Sequence, residues 1–185
     1  MSAINSATCD AAHGSGCGHR PATSRVEKGP QAVFTDPATG TLYAANFTDS
    51  TVSVINSARC NAARTRGCRH PAPTAKAGAS PDGLDMDQAT STDYVANGGN
   101  DTVPVINAVA CNARRRAGCA RPAATIHAGP GPAGIAVDHV TDTMYVADAH
   151  GNTVSVINGA TRNARRHTGC GQTSLRDLAS TAPPG

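Results

Sequence analysis

Apolar and polar positions alternate with a period of two through much of this chain, and turn-forming residues break the alternation at short intervals. The pattern is clearest between residues 133 and 158. Ala133-Gly134-Ile135-Ala136-Val137-Asp138 predicts a short strand, and Thr141-Asp142-Thr143 a turn. Met144-Tyr145-Val146-Ala147 predicts a second strand, with a turn from Asp148 to Asn152. Thr153-Val154-Ser155-Val156-Ile157-Asn158 predicts a third, β-branched at nearly every place. A fourth, weaker strand is expected after a cysteine-bearing loop, as in Ala124-Thr125-Ile126-His127. Helical periodicity is sustained nowhere, so the chain is expected to be all-β.

The same pattern returns at a fixed interval. Ile4, Ile55, Ile106 and Ile157 are spaced by 51 residues, and each is followed by asparagine: Asn5, Asn56, Asn107 and Asn158. Asp36, Asp87 and Asp138 hold the same register, as do Tyr43, Tyr94 and Tyr145, and Gly29-Pro30, Ser80-Pro81 and Gly131-Pro132. Four strands in about 50 residues is the size of one β-propeller blade. The expected fold is a propeller of four-stranded blades, about three and a half of them, in an open or incomplete ring. Residues 1–29 would be a partial blade (third and fourth strands), residues 30–178 three consecutive blades, and residues 179–185 a disordered tail. The last fourth strand is expected at Ser174-Leu175-Arg176-Asp177. An arc of this kind is either part of a longer propeller or closes its ring with a second copy.

Tyr43-Ala44-Ala45-Asn46, Tyr94-Val95-Ala96-Asn97 and Tyr145-Val146-Ala147-Asp148 each lead into a Thr-Val-x-Val-Ile-Asn strand. This resembles the YVTN-type β-propeller repeat, a relative of the NHL and WD repeat families, over roughly residues 26 to 160. The resemblance implies that Gly134–Asp138 is an innermost strand lining a central channel. It implies no single activity, since the family includes surface proteins and sensor domains. Three departures fall in the second blade. Pro104 replaces Ser53 and Ser155 mid-strand and cannot donate to a ladder. Asp93 stands where Leu42 and Met144 stand, and Asp85-Met86 interrupts the first strand. The second blade is therefore expected to be the least stable.

Cysteines recur as Cys9/Cys17, Cys60/Cys68 and Cys111/Cys119, each pair within the loop between third and fourth strands. The fourth repeat keeps Cys170 and has Arg162 in the partner position, which leaves Cys170 a free thiol or one that pairs between chains. Three loop disulfides formed in an oxidising compartment are the expected arrangement, pointing to an extracellular or cell-surface location. Zinc bound by these cysteines with His19 and His70, or reduced surface thiols, are the alternatives. Arg121 and Gln172 stand at the histidine position in the other repeats, against zinc.

The cysteine loops are also basic. Arg59, Arg64, Arg66 and Arg69 lie in one, Arg114, Arg115, Arg116 and Arg121 in the next, and Arg162, Arg165 and Arg166 in the last. All are expected on one face of the disc, with Asp36, Asp93 and Asp142 close enough to offset them in part. Arg64, Arg66, Arg114, Arg115, Arg116, Arg165 and Arg166 are the candidate surface for an anionic partner, a protein or a cell-envelope polymer. Solvated loops in an arginine-favouring composition would look the same. No aromatics interleave the arginines and the formal charge is only +3, so nucleic acid is not expected. No apolar run approaches a membrane span.

The opposite face is expected to carry the Gly-Pro loops and the Asn/Asp turns. Those turns lack the spacing of a calcium loop. None of the seven histidines recurs in every repeat, and Glu27 is the only glutamate. No nucleophile elbow, phosphate loop or zinc-protease motif is present, and no cofactor is expected. With 3% aromatics and no tryptophan, any core has to be built of Val, Ile, Leu and Ala. A non-enzymatic binding or scaffold module is the first functional expectation. A propeller lyase or lactonase, using His127 and His150 on the Gly-Pro face, is the alternative.

Overall fold

A computed structural model describes residues 1–12, 14–18, 20–167 and 170. The strands expected at 174–177, the tail at 179–185, and His13 and His19 lie outside the described residues. The chain runs β1 (Ser2–Ala3), β2 (Ala22–Thr23), β3 (Pro30–Asp36), β4 (Thr41–Asn46), β5 (Thr51–Asn56), β6 (Thr74–Lys76) and β7 (Pro81–Asp87). It continues with β8 (Thr92–Asn97), β9 (Thr102–Asn107), β10 (Ala124–His127), β11 (Pro132–Asp138), β12 (Thr143–Asp148) and β13 (Thr153–Asn158). Two four-stranded antiparallel sheets, β3-β4-β5-β6 and β7-β8-β9-β10, are followed by the three-stranded β11-β12-β13, while β1 and β2 form a small hairpin. The protein is an all-β partial propeller, and the described blades form an arc rather than a closed ring. The first strands lie side by side, with β7 between β3 and β11.

Each turn is written into the repeat. The first-to-second-strand turn is closed by its aspartate: Asp36 accepts from the Ala38 amide at 2.9 Å and from the Thr39 hydroxyl. Asp87 repeats this with Ala89 and Thr90, and Asp138 with Val140 and Thr141. Three backbone sites per repeat are left-handed, among them Gly29, Ser80 and Gly131 at φ 70°, 55° and 66°. Glycine adopts this freely and serine at a cost, so the second blade carries strain the other two lack there.

Pro104 leaves a visible mark. In the first blade Ala44 pairs with Ser53 and Ala45 with Val52. The β8–β9 ladder instead passes from Tyr94↔Val105 to Asn97↔Thr102, with no pairing recorded between. Yet β8 is buried along its whole length, because blades pack on both its faces. Asp85 belongs to the packing as well. Its carboxylate accepts the Val137 amide of β11 at 2.8 Å, tying two innermost strands together.

The core lies between blades rather than within them. Tyr43, Val52 and Val54 of the first blade pack on Val95, Ile106 and Cys111 of the second. Tyr94, Val103 and Val105 of the second pack on Met144, Val146 and Ile157 of the third. Since side chains alternate across a strand, each blade has a leading face (the Tyr and Val positions) and a trailing face (the Leu/Met and Ile positions). Each joint sets a leading face on a trailing one.

Candidate functional site

The cysteine loops project from the end of the arc where the third strands finish. In each, the strand-ending asparagine starts a turn, as Asn107 does by accepting from the Val109 amide at 2.9 Å. A second asparagine then pins the loop. Asn61, Asn112 and Asn163 each donate their amide to a carbonyl four residues earlier, at 2.8, 2.6 and 2.7 Å. Their side-chain oxygens accept from the backbone of the arginines that follow: Arg64, Arg114 and Arg115, Arg165 and Arg166. Cys9–Cys17, Cys60–Cys68 and Cys111–Cys119 sit at disulfide distance, with S–S separations of 2.08, 2.06 and 2.05 Å. The backbone under the arginines is thus held while the guanidinium groups stay free to reach outward.

Arg64, Arg66, Arg114, Arg115, Arg116, Arg165 and Arg166 are all exposed. Three loops therefore present cations on one side of the arc. In the first of them Arg59, Arg64, Arg66 and His70 rim a cavity of 540 Å³. Arg162 differs from its neighbours: it is 1% exposed, so it contributes nothing to the basic surface. The acids expected to offset these charges are largely withdrawn. Asp36 and Asp93 are buried, and Asp142 is half-buried. Cys170 is half-buried and not disulfide-bonded, and burial pushes its thiol up although Arg162 opposes the shift.

Beneath the loops, each joint is locked by a tyrosine. The Tyr43 hydroxyl donates to the Cys111 carbonyl of the next blade at 2.7 Å, and the Tyr94 hydroxyl to the Arg162 carbonyl at 2.9 Å. A second bond repeats beside each: the Ala113 amide donates to Thr41 Oγ1 at 2.9 Å, and the Ala164 amide to Thr92 Oγ1 at 3.0 Å. Burial first, then nearby carboxylates, holds both phenols well above their ordinary range. The tyrosines therefore remain neutral donors.

Asp93 lies in the first joint, beside the Tyr43 hydroxyl. That hydroxyl's one proton goes to Cys111, and neither Asp93 oxygen has a hydrogen-bond partner. Burial, reinforced by the charge of Asp36, raises the Asp93 carboxyl well above the usual carboxylate range.

On the opposite face the Gly-Pro loops are cross-linked between blades, as where the Gly131 amide donates to Asp101 Oδ1 at 2.8 Å. His127 and His150 are both exposed there. His150 lies over Gly131, where an added Cβ would come within 2.5 Å of its Nδ1. Among the described residues no group of three or more His, Cys, Asp or Glu is placed to hold a metal ion. Among them, too, no helix is long and apolar enough to cross a membrane.

No protein-family model matches the sequence, and no curated protein matches it. Solved structures do. The hydrazine synthase of Kuenenia stuttgartiensis superposes with a TM-score of 0.54 at 21% identity, over 71% of this chain and 33% of that one. A Bacteroides fragilis protein provisionally assigned as a 6-phosphogluconolactonase gives 0.54 at 14% identity, over 76% of this chain and 36% of its own. The β-propeller domain of Cps50 (Swd1) from Myceliophteria thermophila matches at 0.48 and 11% identity, over 73% and 40%, and carries no weight here. The chain spans about a third of the length of the first two, and at these identities the likeness concerns the fold alone.

Proposed function

We propose that the chain is a non-enzymatic propeller repeat module, of the YVTN type its tyrosine strands resemble, exported and used to bind an anionic partner. The observation that carries this reading is the arrangement of the cysteine loops. Seven exposed arginines stand on these loops, five of them on backbone bonded to Asn61, Asn112 or Asn163, while Asp36 and Asp93 are buried and Asp142 is half-buried. Cations on held loops attract a polyanion and lose little backbone entropy when it binds. Paired cysteines suit an oxidising compartment, and with it a protein or an acidic cell-envelope polymer as partner.

The test is retention on immobilised polyphosphate at increasing salt. The native chain should be retained and released as salt screens the contacts. Arg114→Glu/Arg115→Glu/Arg116→Glu should elute at far lower salt while keeping the native melting curve. Equal retention of the two would sink the loop-face reading.

The likeness to a lactonase fold motivates a second reading, an enzyme with its site on the Gly-Pro face near His127 and His150. Turnover of 6-phosphogluconolactone that is lost in His150→Ala would establish it in place of the first.

A further inference from the structure

The inter-blade joint occurs twice in this chain, and both halves of a third joint are present at its ends. The leading half is on the third blade. Tyr145 is 43% exposed and Val154 58%, whereas Tyr43, Tyr94, Val52 and Val103 are all 1% exposed or less. Ala147 is exposed too, against fully buried Ala45 and Ala96. The same strand sequence thus forms a sealed face twice and an open one once. The buried counterparts show what covers such a face: the trailing side of another blade, with a backbone carbonyl for the tyrosine and an alanine amide for the threonine.

The trailing half is at the other end. On the first blade, Cys60 and Ala62 stand one repeat before Cys111 and Ala113, and two before Arg162 and Ala164. The hairpin β1–β2 fills only the outer-strand positions beside them, through Met1 and Val26 against Ile55, Cys60 and Cys68. The inner strands of this face are only partly covered: Val33 is 56% exposed, while Ala44 and Ser53 are buried. A cavity of 690 Å³ lies between the first two cysteine loops, with Ala62, Thr65 and Cys68 on one wall and Ile4, Cys9 and Cys17 on the other.

We propose that the open face of β11–β13 docks head-to-tail on the first blade of a second copy, with Tyr145 reaching the Cys60 carbonyl and Thr143 the Ala62 amide. The contact is heterologous: one surface meets a different surface. The incoming sheet overlaps β1. The hairpin, held to the blade by the packing of Met1 and Val26 and by the long 3.4 Å bond from the Ala72 amide to the Arg25 carbonyl, shifts outward on docking. The contact meets the Cys60–Cys68 loop that also carries Arg64 and Arg66, but its test reads chain mass rather than retention on a polyanion, so the two proposals fail separately.

Sedimentation of the full chain over a wide concentration range tests it. The mass should rise from one chain to two or more. Val154→Glu, on the leading face, and Ala62→Glu, in the cavity, should each stay monomeric while melting like the native chain. Mixed together, they should associate again, because each retains the half the other has lost. A chain that is monomeric throughout would overturn the proposal. So would association insensitive to both variants, or two monomeric variants that fail to complement.

Discussion

The joint between the first and second blades and the joint between the second and third share two hydrogen bonds and differ in the side chain each sets at one trailing-face position. Both use a tyrosine hydroxyl and a threonine hydroxyl against the next cysteine loop. On the trailing face, however, the second joint buries Met144 among Tyr94, Val103 and Val105, while the first buries Asp93 beside Tyr43 and Asp36. A repeat can therefore carry an ionisable group in an apolar slot when its remaining contacts are intact. The cost falls on one joint and depends on pH.

The largest effect should come from removing a lock. Tyr94→Ala opens a cavity and orphans the Arg162 carbonyl, and should cost about 3–5 kcal/mol in a urea titration. Tyr43→Ala should cost less at neutral pH, because the cavity relieves Asp93; equal losses would mean that the acid does not distinguish the joints.

Arg162→Cys restores the missing partner of Cys170 at the separation of 8 residues found in the other pairs. A new disulfide, seen by mass before and after reduction, should stabilise the chain by about 2.6 kcal/mol in the loop-entropy picture.

Asp93→Leu should stabilise by about 1–3 kcal/mol at neutral pH. The sign follows from linkage. With the folded carboxyl raised, the native state keeps a proton that the unfolded chain releases. Stability is therefore highest below the ordinary value of 3.8 and falls as pH rises through the folded value. Melting curves of the native chain should shift downward over that range, and those of Asp93→Leu should shift less.

Tyr145→Ala, in dilute monomer, should change stability by less than about 0.5 kcal/mol, the usual size for a surface change. The same tyrosine substitution would then span the whole range of effects, set only by whether a blade lies over it.

Local structure was readable from the sequence because it depends on neighbours a few residues apart. The strand expected at 153–158 is β13 and that at 124–127 is β10, while the strands expected at 133–138 and 144–147 fall within β11 and β12. Pro104 marks the ladder defect it was expected to cause. Contacts between blades were harder to read. The tyrosine locks join residues 68 apart, and no local pattern names the acceptor. Asp85 interrupts a strand in sequence and bonds across to Val137 in space. Arg162 looked like surface charge, as arginine usually is, and is buried where the other repeats have cysteine. Asn61, Asn112 and Asn163 could have been found, since they recur every 51 residues beside the cysteines.

Nitration of the dilute native chain, mapped by mass spectrometry, tests the central claim that blades are joined through their leading faces. Tyr145 should be modified while Tyr43 and Tyr94 are spared until the chain is denatured. Modification of all three at similar rates would contradict it, since the sealed joints that define this fold would then not exist.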